Sequence, residues 1–202
     1  MGRRVVLEAL LRGHEVTAVV RRSEQLGQLP EAARGRIGDA GVAEQVVAAS
    51  VGQDVVIGAT RPPTGQEAQV TATTRNLLEG VWRARARLIV VGGAATLNVP
   101  GSGGRTVLED ERYLPDWARP IAAASAVQLE ICLAEPRARW VYVSPPAQLE
   151  PGERTGAYRV GADELLVNVA GKSCISIEDL AVAVLDEAET PRHHQTRFTV
   201  GY

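Results

Sequence analysis

Apolar positions recur along the chain with two periods in turn. From residue 3, RRVVLEALLR sets Val5, Val6, Ala9 and Leu10 on one face of a helix. VTAVV (16–20) is an unbroken, valine-rich apolar run, as a strand shows when both its faces are buried. Ser23 is placed to cap a short helix after it. GVAEQVVAAS reads as a helix and DVVIGAT (54–60) as a second buried strand. EAQVTATTRNLLEGVWRARA carries Val70, Thr74, Leu77, Leu78, Val81 and Trp82 at helical spacing. RLIVVGG (87–93) predicts a third strand, IAAASAVQLEICLAE a helix, and RWVYVSPP (139–146) a fourth strand. SIEDLAVAVLDEAE opens with Ser176 and Asp179 at capping-box spacing, and RFTVGY closes as a last strand. NVPGSGG (98–104) predicts a flexible loop.

Strands alternating with helices of this length predict right-handed β-α-β units and a parallel sheet, an α/β fold of the doubly wound, Rossmann-like kind. The 202 residues suit one domain over 1–202, with a small substrate lobe at about 146–175. Such a unit begins on a strand, yet this pattern begins on a helix.

Composition narrows the function. A net charge of −2 supplies no basic field for nucleic acid. No apolar run approaches the roughly 20 residues of a membrane span, and no secretory leader is evident. Cys132 and Cys174 are far apart and lie in apolar stretches, which predicts buried free thiols and a cytoplasmic setting. His193 and His194 are adjacent, so their side chains diverge; with no third ligand nearby they predict a solvated pair and no metal site. His14, in the turn RGHEV, reads as structural. GSGG lacks the Lys-Ser/Thr ending of a nucleotide-triphosphate loop.

In a parallel sheet the ligand lies outside the carboxyl ends of the strands, so the residues just after each strand carry the chemistry. Arg21 and Arg22 follow the first run. They suit a 2′-phosphate on an adenosine ribose, because a guanidinium binds phosphate bidentately, or they are two solvated side chains. Asp39 in GDAG caps a helix or accepts from an adenine amino group. GATRPP (58–63) and GGAA (92–95) are exits of small residues that let backbone approach a ligand, or simply turn. SPP (144–146) is a rigid exit able to wall a pocket.

Taken in order, GRRVVLEALLRGHEVTAVVRR, GDAG, DVVIGAT, RLIVVGGAATL, WVYVSPPAQLEPGERTGAYRVG, ISIEDLAVAVLDE and RFTVGY resemble the NAD(P)H-binding branch of the atypical short-chain dehydrogenase/reductases. Its members include flavin/biliverdin reductase B-like enzymes and NmrA-like regulators. The resemblance covers essentially the whole chain and implies a Rossmann-like fold binding NADP(H), or NAD(H). It places Arg21 and Arg22 at the 2′-phosphate, Asp39 and Ala40 at the adenine, and Ala59, Thr60 and Arg61 along the middle of the cofactor. Gly92, Gly93 and Ala94, with Ser144, Pro145 and Pro146, would lie near the nicotinamide. Tyr158 would line the substrate pocket under the small lobe.

The chain departs from the family in two ways. No Tyr-x-x-x-Lys pair exists, and Lys172 is the only lysine. Ala95 stands where flavin-reductase-like members carry a serine, leaving Thr96 as the nearest hydroxyl. Of the family's G-x-x-G-x-x-G loop only the last glycine has a counterpart, Gly2, and the first strand is missing. The expectation is therefore an N-terminally truncated sheet, with a gap between the strands at 16–20 and 54–60. A reductase passing hydride from NADPH to a flavin, quinone or other planar acceptor needs little acid catalysis and suits these departures. A non-catalytic NAD(P) sensor of NmrA-like type, or a structural remnant, are the alternatives. Neither substrate nor oligomeric state is legible.

Overall fold

In the computed structural model, which describes residues 1–202, the elements follow the order that the periodicity predicts, with additions. They are α1 (Gly2–Leu11), β1 (Thr17–Val20), β2 (Arg34–Ile37), α2 (Ala43–Ser50), β3 (Val55–Gly58), α3 (Gln69–Ala84), β4 (Arg87–Val91) and α4 (Arg119–Leu133). β5 (Arg139–Ser144), β6 (Gln148–Glu150), β7 (Arg159–Gly161), β8 (Cys174–Ser176), α5 (Ile177–Glu189) and β9 (Arg197–Gly201) complete the chain.

Successive residues of a strand face opposite sides, and here both sides are covered. Leu88, Val90, Trp140 and Tyr142 pack under α2, α3 and α4. Ile89, Val141, Val143, Phe198 and Val200 pack under α1 and α5. Leu88, Ile89, Val90, Val141 and Val143 are wholly buried. Each such side chain contributes about 1.5–3 kcal/mol, so the paired strands β4 and β5 anchor both layers. The main sheet runs β3-β4-β5-β9-β7, parallel except for β7 against β9. This is the α/β, Rossmann-like architecture that the sequence predicts. A third cluster, Leu97, Val99, Val107, Leu114 and Leu165, joins the segment after β4 to the lobe. β6 and β8 form their own parallel pair beside it.

β2 has no counterpart in the sequence reading, because RGRI is exposed at every position and shows no apolar pattern. It forms because its backbone pairs in parallel with β1, Thr17 opposite Arg34 through Val20 opposite Ile37. The β1–β2 ladder is not joined to the main sheet. β1 and β3 therefore each keep an edge without a strand partner, and the sheet has not closed over the expected gap.

Several local expectations are corrected. Ser23 begins a 3₁₀ turn (Ser23–Gln28) without capping it; its hydroxyl reaches Glu24 at 3.4 Å. The stretch 98–104 is held at its start, where the Asn98 N–H donates to the Asp163 carbonyl and the Val99 N–H to the Arg105 carbonyl, each at 2.8 Å. Ser176 does cap α5, accepting from the Asp179 N–H at 2.9 Å. The Asp179 carboxylate does not return the bond; it accepts from the Gly156 N–H at 2.8 Å and the Tyr202 hydroxyl at 2.7 Å. His193 is not solvated: its ring stacks on Phe198 with centroids 4.3 Å apart, and Nδ1 lies 2.8 Å from Glu187. Cys132 is fully buried, whereas Cys174 is only half-buried.

The interface of α1 and α5 holds charge as well as apolar surface. Glu8 is 5% exposed on the buried face of α1. Its carboxylate accepts from Arg154 at 2.8 Å, twice, and from Arg12 at 2.7 Å. Arg12 also binds Asp186 and Glu189, each at 2.8 Å. Arg154 and then Arg12 hold the Glu8 carboxyl down at about 2 against the pull of its burial. A carboxyl lowered in this way adds stability fully above about 4.5 and loses it as pH falls toward 2. Glu8→Gln is expected to lower stability at neutral pH by about 2 kcal/mol, discounted from a fully buried pair because Arg154 is half exposed. Urea midpoints between pH 5 and pH 2 should then fall less steeply in the variant than in the parent.

Candidate functional site

β3, β4 and β5 run parallel and end on one edge of the main sheet, β1 and β2 run parallel to each other, and all but one of the expected site residues lie where these strands and their neighbours exit. Arg21 and Arg22 leave β1 fully exposed, and neither guanidinium forms an ion pair. The Arg22 N–H donates to Gln25 Oε1 at 3.1 Å, which fixes the turn that carries them. Asp39 and Ala40 follow β2, beside the β1 exit. Asp39 is not the cap of α2, which begins at Ala43. Its Oδ1 accepts from the Gly41 N–H at 2.8 Å, closing a tight turn on its own backbone. The Ala40 carbonyl accepts from Asn76 of α3 at 3.1 Å.

Ala59, Thr60 and Arg61 leave β3, the last two exposed. Gly2 meets them there: a side chain on Gly2 would start 3.9 Å from Ala59 Cβ. The first turn of α1 thus opens onto the β3 exit, with N–H groups that the helix itself does not use.

The β4 exit is the most constrained. A Cβ on Gly92 would fall 1.9 Å from the Tyr142 ring, so no other residue fits. A Cβ on Gly93 would fall 2.5 Å from Ser125 Oγ. The Gly93 N–H donates to the Tyr142 hydroxyl at 3.1 Å, and that hydroxyl donates to the Ser125 carbonyl at 3.0 Å. Gln128 lies beside it and donates to Thr74 at 3.2 Å, so β5, α4 and α3 together fix the glycine pair. Burial holds the Tyr142 phenol well above its ordinary range, so it stays a neutral donor. Gly92 donates to the Val143 carbonyl at 3.0 Å, which puts it directly beside Ser144 at the end of β5.

Ser144 is wholly buried, and its Oγ has no hydrogen-bond partner within the protein. A buried hydroxyl without a partner is uncommon and carries a desolvation penalty of about 1–3 kcal/mol. Its carbonyl accepts from Thr199 at 2.8 Å. Pro145 and Pro146, both buried, continue the exit.

Ala94 and Ala95 complete the turn, with Ala95 buried in the core. Thr96 is not a free hydroxyl: it accepts from Arg197 Nη1 at 2.6 Å. Arg197, at the start of β9, is 10% exposed and also ion-paired with Asp163 in the lobe. The sequence reading missed Arg197, because the only signal was one more arginine ahead of a short strand. Tyr158 does not join the exits. Its hydroxyl donates to Asp186 beside Arg12, and its ring packs against the α1–α5 core, so it belongs to that interface. The pocket role expected for Tyr158 thus finds no support in its position.

Comparison with known proteins gives the same picture. The profile of a family described as NAD(P)H-binding matches residues 1–191. The uncharacterized protein YwnB of Bacillus subtilis is 35% identical over 206 residues, covering 98% of this chain and 92% of YwnB. A provisionally named epimerase from Bacteroides thetaiotaomicron superposes with a TM-score of 0.89 at 36% identity, covering 98% of this chain and 90% of that one. A provisionally named NADH-flavin reductase from Streptococcus pneumoniae superposes with a TM-score of 0.84 at 28% identity, covering 99% and 93%. With a profile that spans almost its whole length, this chain belongs to the NAD(P)H-binding family.

Proposed function

We propose that this chain holds NADP(H) along the carboxyl edge of its sheet and passes hydride to a flavin, quinone or other small planar acceptor. The observation that carries the reading is the β4–β5 exit, where Gly92 can bear no side chain and the neighbouring Ser144 hydroxyl is buried without a partner. The similarity to the provisionally named NADH-flavin reductase supports the acceptor class.

Arg21 and Arg22 would hold the 2′-phosphate, with Asp39 and Ala40 at the adenine. Gly2, Ala59, Thr60 and Arg61 would run along the middle, where the first-turn N–H groups of α1 suit a pyrophosphate. Gly92, Gly93 and Ala94 would back the nicotinamide, with Ser144 supplying a hydrogen bond and Pro145 and Pro146 a wall. NADPH, when bound, supplies the hydride. The residues of this chain orient the two rings and keep water from the face between them. They offer little acid catalysis: Tyr142 is buried with its hydroxyl committed to the Ser125 carbonyl, and Thr96 is engaged by Arg197. A planar acceptor that takes its proton from water needs none. The same lack of an acid also suits the alternative, an NAD(P) sensor without turnover.

The reading extends to the unpartnered edges of β1 and β3, which suit an intervening parallel strand whose following glycine loop would cradle the pyrophosphate.

Three outcomes are expected. NADPH should bind about tenfold or more tightly than NADH, and Arg21→Ala with Arg22→Ala should remove that preference in a fluorescence titration. An undiminished preference would move the 2′-phosphate elsewhere. Purified protein should oxidise NADPH steadily with FMN or a quinone; binding with no turnover on any acceptor would favour the sensor. A chain extended before Gly2 by a strand and a G-x-x-G-x-x loop should bind NADPH at least about tenfold more tightly than the 202-residue chain, whereas equal affinity would place the pyrophosphate on other residues.

A further inference from the structure

The opposite, amino edge of the sheet carries a second concave site. It lies where the turn from α3 into β4 meets the turn from α4 into β5. Arg83, Arg85, Arg137 and Arg139 surround a cleft of about 550 Å³ with Trp82 in its wall. A smaller cleft of about 290 Å³ shares Arg137 and Arg139 and continues past His194 and Gln195. We propose that this groove binds a compact, phosphate-bearing small molecule.

Three observations point there. The first is charge without a partner. Arg83 is paired with Glu44 at 2.8 Å, and Arg137 with Glu135 at 2.9 Å. Arg85 and Arg139 enter no ion pair and no side-chain hydrogen bond, although the chain as a whole carries −2. Two unpaired guanidiniums on one concave surface repel each other, and an oxyanion with several acceptor oxygens relieves that repulsion while accepting bidentate bonds.

The second is backbone conformation. The chain leaves α1 and α2 through left-handed glycines, Gly13 at φ +84° and Gly52 at φ +77°. α3 makes the same kind of stop with Arg85 at φ +60°, closing its N–H onto the carbonyls of Val81 and Trp82. Glycine is the residue that takes this conformation without strain. An arginine held in it brings a guanidinium to the cleft at the expense of the fold.

The third is what surrounds the groove. Arg137 stacks over Trp82, its guanidinium carbon 4.3 Å from the ring centroid, so the indole steadies one of the forks. Glu44 pairs with Arg83, and Glu79 and Glu135 pair with Arg137. Those carboxylates repel a long polyanion lying across the surface, such as RNA, and leave room for an anion that fits between them. Phosphoryl groups, with three oxygens and a charge near −2, suit the two unpaired guanidiniums of Arg85 and Arg139 better than a single carboxylate does.

The test is calorimetric titration of the full chain with inorganic pyrophosphate, and separately with inorganic phosphate. With NADP⁺ present at saturation to fill the phosphate positions proposed for the carboxyl edge, one saturable site is expected, with pyrophosphate the tighter ligand. Arg85→Gly should weaken pyrophosphate about tenfold or more while raising the melting temperature by about 2–4 °C, because it relieves the left-handed arginine. A variant that is merely misfolded cannot do both. Arg139→Ala should weaken pyrophosphate similarly. Trp82→Phe should retain binding but lose the accompanying change in tryptophan fluorescence. Unchanged affinity in Arg85→Gly and Arg139→Ala overturns the proposal. So does loss of pyrophosphate binding when NADP⁺ is added to saturation, which would assign the anion to the other edge. Absence of saturation at millimolar pyrophosphate, or tight binding of an RNA oligonucleotide without binding of pyrophosphate, overturns it as well.

Discussion

The ring of Tyr142 occupies the space in which residue 92 would carry a side chain, and much of the molecule is arranged around that contact. β4 and β5 are buried on both faces, so neither can offer a side chain to a ligand along its length. Only their ends can. At the end of β4 the backbone must lie flat against the phenol, and its next N–H is satisfied by the phenol oxygen. The same oxygen binds α4, and through Gln128 and Thr74 the bond network reaches α3. One hydroxyl thereby sets the height of the glycine turn relative to two helices and the neighbouring strand. The half-buried strip of glycine backbone that results lies next to an orphaned serine hydroxyl.

How far the sequence could be read depended on how each element is stabilised. β3, β4 and β5 are legible as continuous apolar runs because helices cover both of their faces. β2 is illegible for the opposite reason: all four of its residues are exposed, and its backbone pairing with β1, with Arg36 donating to the Ala48 carbonyl, holds the strand. Glu8 is invisible as a buried residue, since a glutamate on an amphipathic helix reads as a solvent-facing position. It is buried because Arg12 and Arg154, the latter 146 residues away, close over it. His193 misleads likewise, because its stacking on Phe198 and its bond to Glu187 are tertiary facts. Trp82 falls at the spacing of the α3 core stripe but lies 42% exposed at its margin, covered only by Arg137.

For the candidate site, the exits were legible as a set and their internal geometry was not. Small residues after strands mark where backbone is bare, and the fold brings Gly2 against Ala59 and Gly92 beside Ser144 as a parallel sheet requires. The engagement of Thr96 by Arg197, and of Tyr158 by Asp186, depends on side chains brought in from distant strands and helices. The two edges of the sheet also differ in kind. The carboxyl edge is built of glycine, alanine, serine and proline, with arginines only at its margin; the amino edge gathers arginines over a tryptophan.

The central claim is that the carboxyl edge, centred on the Gly92–Ser144 junction, receives the cofactor. The most direct measurement is residue-resolved amide NMR of the ¹⁵N-labelled chain titrated with NADP⁺. The largest shifts are expected on Gly92, Gly93 and Ser144, with a second group at Arg21 and Arg22. Shifts confined to the arginine groove at the amino edge, or absent from residues 92–94 and 144 at saturation, would contradict it.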